Sequence, residues 1–181
     1  LIYLKYKIKK INMIKNLKLL TVMFLALAIQ SCSNDDDEYV MQPKTIYEHV
    51  ATSNNYTSLT YALQKTNLDG VLNGTDNYTL YAPNNMAFSR FLMEVGFSNV
   101  EQVPTELLTQ ILLNHVMAGE IQYRDFETGY FQTAANSAAT GTPLSIHIEQ
   151  VNMRVTLNGE SRITQGNVYA TNGVIHAVDR V

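Results

Sequence analysis

The hydrophobic period changes at Gly119, and that change limits the architectures open to this chain. Before it, apolar residues recur at three and four: Leu59, Ala62 and Leu63 in Tyr56–Thr66, and Ala87, Phe88, Phe91, Leu92 and Val95 after Asn84-Asn85. This is the spacing of a helix with one buried stripe. After Gly119 the period is two. Leu144, Ile146 and Ile148 alternate with Ser145, His147 and Glu149, and Val151, Met153, Val155 and Leu157 alternate with Asn152, Arg154 and Thr156. Alternation of this kind marks half-buried antiparallel strands. Helices first and strands later give the α+β class.

Turn residues divide the chain further. Thr45–Ser53 reads as a short helix, and Asp69-Gly70 and Asn73-Gly74 as punctuation. Tyr78–Ala82 is a strand ending at Pro83, Asn84 or Asn85 caps the following helix, and Gly96 stops it. Pro104 suits the first turn of the next helix, with Gly119 after its end. Asn158-Gly159 and Asn172-Gly173 are hairpin dipeptides, and Val168–Thr171 and Gly173–Val181 are the last β-prone runs. Thr133–Thr142 has no period and reads as a mobile loop.

Charge is distributed as unevenly as hydrophobicity. All sixteen acidic residues follow Cys32 and only seven basic ones do, so the chain from Cys32 onward carries a net −9. Such a chain repels a phosphate backbone, and its cations form no stripe, which excludes nucleic acid as the expected partner. The 46% apolar content fits a globular domain, and one cysteine excludes an intrachain disulfide framework.

Residues 1–31 read as a signal peptide. Six lysines precede an apolar run from Leu19 to Ile29, which as a helix covers about 16 Å against the roughly 30 Å of a bilayer core. A basic start, a short apolar run and a small residue at the cut describe an export signal. Met13 opens a normal basic n-region by itself, so residues 1–12 read as a mis-assigned start. Ser31-Cys32 resembles the lipobox of bacterial lipoproteins, whose cysteine is diacylated; the plainer alternative is an ordinary cysteine behind a signal peptide. Asp35-Asp36-Asp37-Glu38 then reads as a solvated tether over residues 32–43, and it also resembles the surface-export signal of Bacteroidota lipoproteins. The localisation this implies is the bacterial outer membrane, lipid-anchored and facing outward.

Thr79-Leu80-Tyr81-Ala82-Pro83-Asn84-Asn85-Met86-Ala87-Phe88 and Thr171-Asn172-Gly173-Val174-Ile175-His176-Ala177-Val178-Asp179 resemble the two signatures of the fasciclin domain family. Leu112–Gly119, with His115, resembles the family's helix ending in histidine, and Tyr56–Leu59 its opening helix. The resemblance covers residues 44–181. It implies a two-sheet β wedge with helices packed around it, used as an extracellular adhesion or interaction module, usually without catalysis. The Tyr-His pair that animal members associate with integrin binding is replaced here by Asn114-His115, so that reading is not carried over. The final strand stops at Asp179-Arg180-Val181, where the family's domain normally continues, and the family's domains also occur in tandem.

Thr79, Pro83, Phe88, His115, Asn172, Gly173, His176 and Asp179 are thus expected to be structural. Leu108, Ile111, Leu112 and His115 share one helix face, which places His115 in the core, and His176 lies in an apolar strand run. Asp179 reads as a buried acceptor in the same layer. The four histidines have no metal-ligand spacing, and neither a Gly-x-Ser-x-Gly elbow nor a glycine-rich phosphate loop is present. No catalytic residue, metal or cofactor is therefore expected.

What remains is contact chemistry. Gln122–Thr142 groups Tyr123, Arg124, Phe126, Tyr130 and Phe131, and aromatics with arginine are enriched at binding hot spots. Tyr130 and Phe131 are adjacent in a strand and point to opposite faces, so at most one is free. Three functions follow from this: a surface module for adhesion to an extracellular protein or glycan, a glycan-binding accessory of a polysaccharide-uptake system, or an envelope scaffold.

Overall fold

The computed structural model describes residues 42–181. The readings of the signal peptide, of Cys32 and of the acidic tether lie outside the described residues. Among the described residues there are five α-helices: α1 Ile46–Ala51, α2 Thr57–Lys65, α3 Asp69–Leu72, α4 Asn85–Val95 and α5 Thr105–Asn114.

Local chemistry explains most of their ends. Thr45 and Glu48 form a reciprocal capping box on α1, the Thr45 side chain accepting from the Glu48 N–H and the Glu48 carboxylate from the Thr45 N–H. Asn84, rather than Asn85, caps α4 by accepting from the Ala87 N–H at 2.9 Å. Gly96 ends it with φ of 77°, the left-handed cap that glycine adopts without cost. Two expectations need correction. Asp69-Gly70 does not interrupt the chain but opens α3. Gly119 does not directly follow α5, because α5 ends at Asn114 and the short strand β2, Val116–Ala118, intervenes.

The strands are β1 Tyr78–Pro83, β2, β3 Gly129–Asn136, β4 Pro143–Val151, β5 Arg154–Leu157, β6 Ser161–Ala170 and β7 Gly173–Val178. Their ladder is continuous in the order β2-β1-β7-β6-β5-β4-β3. All neighbours are antiparallel except β1 and β7, which run parallel with Tyr81 opposite His176. The two end strands, β2 and β3, also lie against each other, so the sheet curls nearly into a barrel. The α+β class and the helical cover match the expectation. The expected pair of separate sheets is replaced by this one mixed seven-stranded sheet.

The later strands differ from the sequence reading in three places. Thr133–Thr142 is no loop: β3 extends to Asn136, and a tight turn closed by the Ser137 N–H on the Thr142 carbonyl leads into β4. Alternation does not continue through Val151–Leu157, since Asn152 and Met153 both have positive φ and turn the chain between β4 and β5. Met153, assigned to the buried row, is 82% exposed at that turn. β6 begins at Ser161, seven residues before the expected run at Val168.

Two apolar clusters fill the space on either side of β1 and β7. One joins the helices to the sheet through Ile46, Leu59, Leu63, Phe88, Leu108 and Ile175. The other lies inside the curl, from Tyr81, Met117, Phe126, Ile148, Leu157 and Val178. Both faces of β7 are therefore buried along its whole length. Among the described residues no helix is long and apolar enough to cross a membrane.

Candidate functional site

The two signature stretches meet along the β1–β7 ladder, and their polar side chains serve the backbone. Asn172 is buried; its Oδ1 accepts from the Ile46 N–H at 2.8 Å, and its Nδ2 donates to the Leu72 and Gly74 carbonyls, each at 2.9 Å. One amide thus fastens α1 and the end of α3 to the β6–β7 turn. Thr79 Oγ1 donates to the Gly119 carbonyl at 2.8 Å and accepts from the Ile121 N–H at 2.9 Å, tying β1 to the chain beyond β2. Gly173 has φ of 136° and packs directly on the Tyr78 carbonyl. Pro83 is buried at the end of β1 and Phe88 in the first turn of α4.

His176 is enclosed by Tyr81, Tyr123 and Phe126, with the Phe126 ring centroid 5.2 Å away. Its Nδ1 accepts from the Asn167 N–H at 3.2 Å, and its Nε2 lies 2.9 Å from the Ile121 carbonyl. One acceptor contact and one donor contact fit the neutral ring with its proton on Nε2. Burial pushes its pKa below the ordinary histidine value, against a smaller upward pull from the Ile121 carbonyl. The Tyr81 hydroxyl is pushed well above the usual phenol range by the same burial.

His115 differs from its expected setting. It caps α5 and is only half-buried, with Nδ1 2.8 Å from the Ile111 carbonyl. It borders a cavity of about 150 Å³ shared with Tyr81, Asn114, Asn158 and Arg180. Desolvation lowers its pKa too, opposed by backbone hydrogen bonds to Ile111 and Arg180. Asp179 lies just past β7 and is half-buried rather than inside the histidine layer; it accepts from the Arg162 N–H at 2.7 Å.

The five residues proposed for partner contact separate into two groups. Phe126 is 2% exposed and belongs to the inner cluster, so it is removed from any contact surface. Tyr123 is half-buried; its hydroxyl donates to the Met153 carbonyl at 2.8 Å, and its ring packs under Gly166, where a Cβ would come within 2.7 Å. Phe131 faces inward from β3 opposite Ile146. Arg124 and Tyr130 remain outside, with a weak pairing of Arg124 to Asp125 at 3.5 Å.

Tyr130 is 79% exposed and pairs across the hairpin with His147, their ring centroids 4.8 Å apart. Sequence reasoning missed His147, although alternation along β4 already placed it outward. Its partner could not be read, because the register depends on the turn that was taken for a loop. Along the same face, Glu149 lies opposite Thr156 and Val151 opposite Arg154. These four and Asn152 line a depression of about 190 Å³. Among the described residues no group of three His, Cys, Asp or Glu side chains converges as a metal set would.

A curled mixed sheet whose two signature strands are parallel neighbours and whose cover is helical defines a class, and the comparisons agree with it. The fasciclin domain family model matches residues 54–181. The chain belongs to the fasciclin domain family.

Relatives include Protein sll1483 of Synechocystis, 26% identical over 76% of this chain and 72% of its own length. Immunogenic protein MPB70 of Mycobacterium bovis is 32% identical over 73% of this chain and 66% of its length. Transforming growth factor-beta-induced protein ig-h3 of Sus scrofa is 28% identical over 75% of this chain, which spans only 19% of that relative. A solved FAS1 domain pair from the insect cell adhesion molecule fasciclin I superposes with a TM-score of 0.60 at 16% identity. That match covers 76% of this chain and half of the insect one, and it shows the shared fold.

Proposed function

We propose that this chain is a non-catalytic interaction module that binds a macromolecule outside the cell, held at the outer membrane by a lipid on Cys32. The observation that carries the contact surface is Tyr130, a large aromatic left in water on the outward face of β3. Exposed tyrosine supplies rigid amphipathic contact area at low entropic cost. Family membership supports the module reading, and the insect relative is itself described as a cell adhesion molecule. The polar side chains of the two signature stretches are engaged with the backbone, which leaves them no evident role in chemistry. The −9 charge after Cys32 speaks against nucleic acid, and the lipobox-like stretch supports the membrane as an anchoring partner.

Gln122–Thr142 contributes Arg124 and Tyr130 to the contact surface, while Tyr123, Phe126 and Phe131 support it from below. Beads coated with the protein should adhere to cells or to extracellular polymers, and Arg124→Ala with Tyr130→Ala should weaken adhesion without lowering the melting temperature. Full adhesion by the folded double variant would remove this surface, and turnover of any substrate would remove the non-catalytic reading. The glycan-binding alternative has one observation in its favour, the tilted contact of the Tyr130 and His147 rings on the outward face.

A further inference from the structure

We infer that the outward face of β3, β4 and β5 is a binding site for a sugar ring of a neutral glycan, with Tyr130 and His147 as the stacking platform and Glu149, Asn152, Arg154 and Thr156 as hydroxyl readers. The inference rests on the module reading above and names the ligand class for that surface.

The platform comes first. Tyr130 and His147 stand directly opposite each other in the β3–β4 ladder, with their rings tilted by 51°. The His147 backbone is held on its other side by Asn158, whose Oδ1 accepts from the His147 N–H at 2.9 Å and whose own N–H donates to the His147 carbonyl at 2.8 Å. The platform therefore stands on a fixed strand. Aromatic faces carry a negative quadrupole, and the axial C–H groups of a pyranose present the positive, apolar surface that complements it.

The second part is the adjoining depression. Glu149 lies two residues beyond His147 on the same strand face, about 7 Å along β4, and forms one wall of the depression of about 190 Å³. The space is of the order of a single sugar ring. Its lining offers a carboxylate acceptor, a guanidinium donor, an amide and a hydroxyl. Among the described residues, the Glu149 and Arg154 side chains make no ion pair and no hydrogen bond, so their capacity is free for a ligand. A carboxylate beside a guanidinium matches vicinal hydroxyls, one of which donates while the other accepts.

Charge decides among polymers. Glu149 and Arg154 cancel, so the depression has no net charge to attract an anionic chain, while the surrounding molecule is acidic and repels one. A peptide would need an apolar pocket for an anchor side chain, and Val151 is the only apolar residue in the lining.

The test is affinity electrophoresis of the protein in gels containing dextran, mannan, galactan, xylan or mixed-linkage β-glucan, with polygalacturonate as the anionic comparator. At least one neutral polymer should retard the protein. Tyr130→Ala should weaken that retardation by roughly tenfold in Kd, and Glu149→Gln with Arg154→Gln by at least as much. Glu106→Gln, in the first turn of α5, should leave it unchanged. The substituted side chains are exposed, so circular dichroism should show every variant folded. Retardation by polygalacturonate alone, by none of the neutral polymers, or undiminished in Tyr130→Ala would overturn the inference. If coated beads still adhere to cells while no neutral polymer binds, the sugar site fails and the module reading stands; loss of both would sink the two together.

Discussion

Gly173 packs so closely on Tyr78 that a Cβ at this position would overlap the Tyr78 carbonyl oxygen, and its φ of 136° is one that side-chain-bearing residues rarely adopt. Both restrictions act at the first rung of the parallel β1–β7 ladder. Gly173→Ala should therefore destabilise the protein by roughly 3–5 kcal/mol. Chemical denaturation measures this, and a loss below 1 kcal/mol would contradict the close approach.

Asn172→Ala should cost about 2–4 kcal/mol, since it leaves the Ile46 N–H and two carbonyls without their partner. Amide hydrogen exchange should accelerate first in α1. Asn172→Asp should be at least as harmful, because a carboxylate cannot donate to the Leu72 and Gly74 carbonyls. Equal protection of α1 in wild type and Asn172→Ala would show that the amide is not what fastens it.

These two residues also show how far the fold was readable in advance. The dipeptide Asn172-Gly173 announces a turn, and Asn84 and Gly96 announce the ends of α4, because each works through local backbone geometry. Asn152 tolerates positive φ, but Met153 signals no turn; only the pairing of Val151 with Arg154 forces both residues to positive φ. The same holds for β6, where the polar run Gln165-Gly166-Asn167 coincides with a break in register and hides the strand. At the site, alternation correctly separated Tyr130 from Phe131. The burial of Phe126 and Tyr123 follows from the curl of the sheet around His176, a tertiary fact with no local signal.

Acid should destabilise the protein before its carboxylates titrate. His176 and His115 have pKa values lowered from 6.5 by burial, so the unfolded chain takes up protons that the folded one does not. Stability is then greatest above the unfolded value and falls as pH drops below about 6.5, by at most about 1.4 kcal/mol per pH unit for each histidine. Denaturant midpoints measured from pH 7.5 to 5.5 should decline, and less steeply in His176→Gln. A flat profile in the parent would show that neither ring is held neutral.

Tyr123→Ala should lower stability by roughly 2–4 kcal/mol, because it empties the space under Gly166 and releases the Met153 carbonyl. Arg124→Ala, one residue away and exposed, should change stability by less than about 0.5 kcal/mol. Thermal melts of the two variants separate support from surface; equal losses would mean that Tyr123 is not a structural strut.

Cys32→Ala should move the protein from the detergent-extracted membrane fraction to the soluble fraction, since stable anchorage requires more than one acyl chain. Fractionation with an antibody against the folded domain reads this directly. Unchanged membrane retention would dismiss the lipid anchor.

The position of β7 has a consequence for the order in which the chain folds. This strand is the last in sequence, yet it lies between β1 and β6, and β1 has no ladder partner on that side until it arrives. A chain emerging N-terminus first can form its helices early, but it cannot close the sheet before residue 178 is out. Closure across so long a sequence separation is slow. Until then β1 and β6 lack their shared neighbour, and the late arrival of one strand sets the moment at which the apolar clusters on both sides of it are sealed.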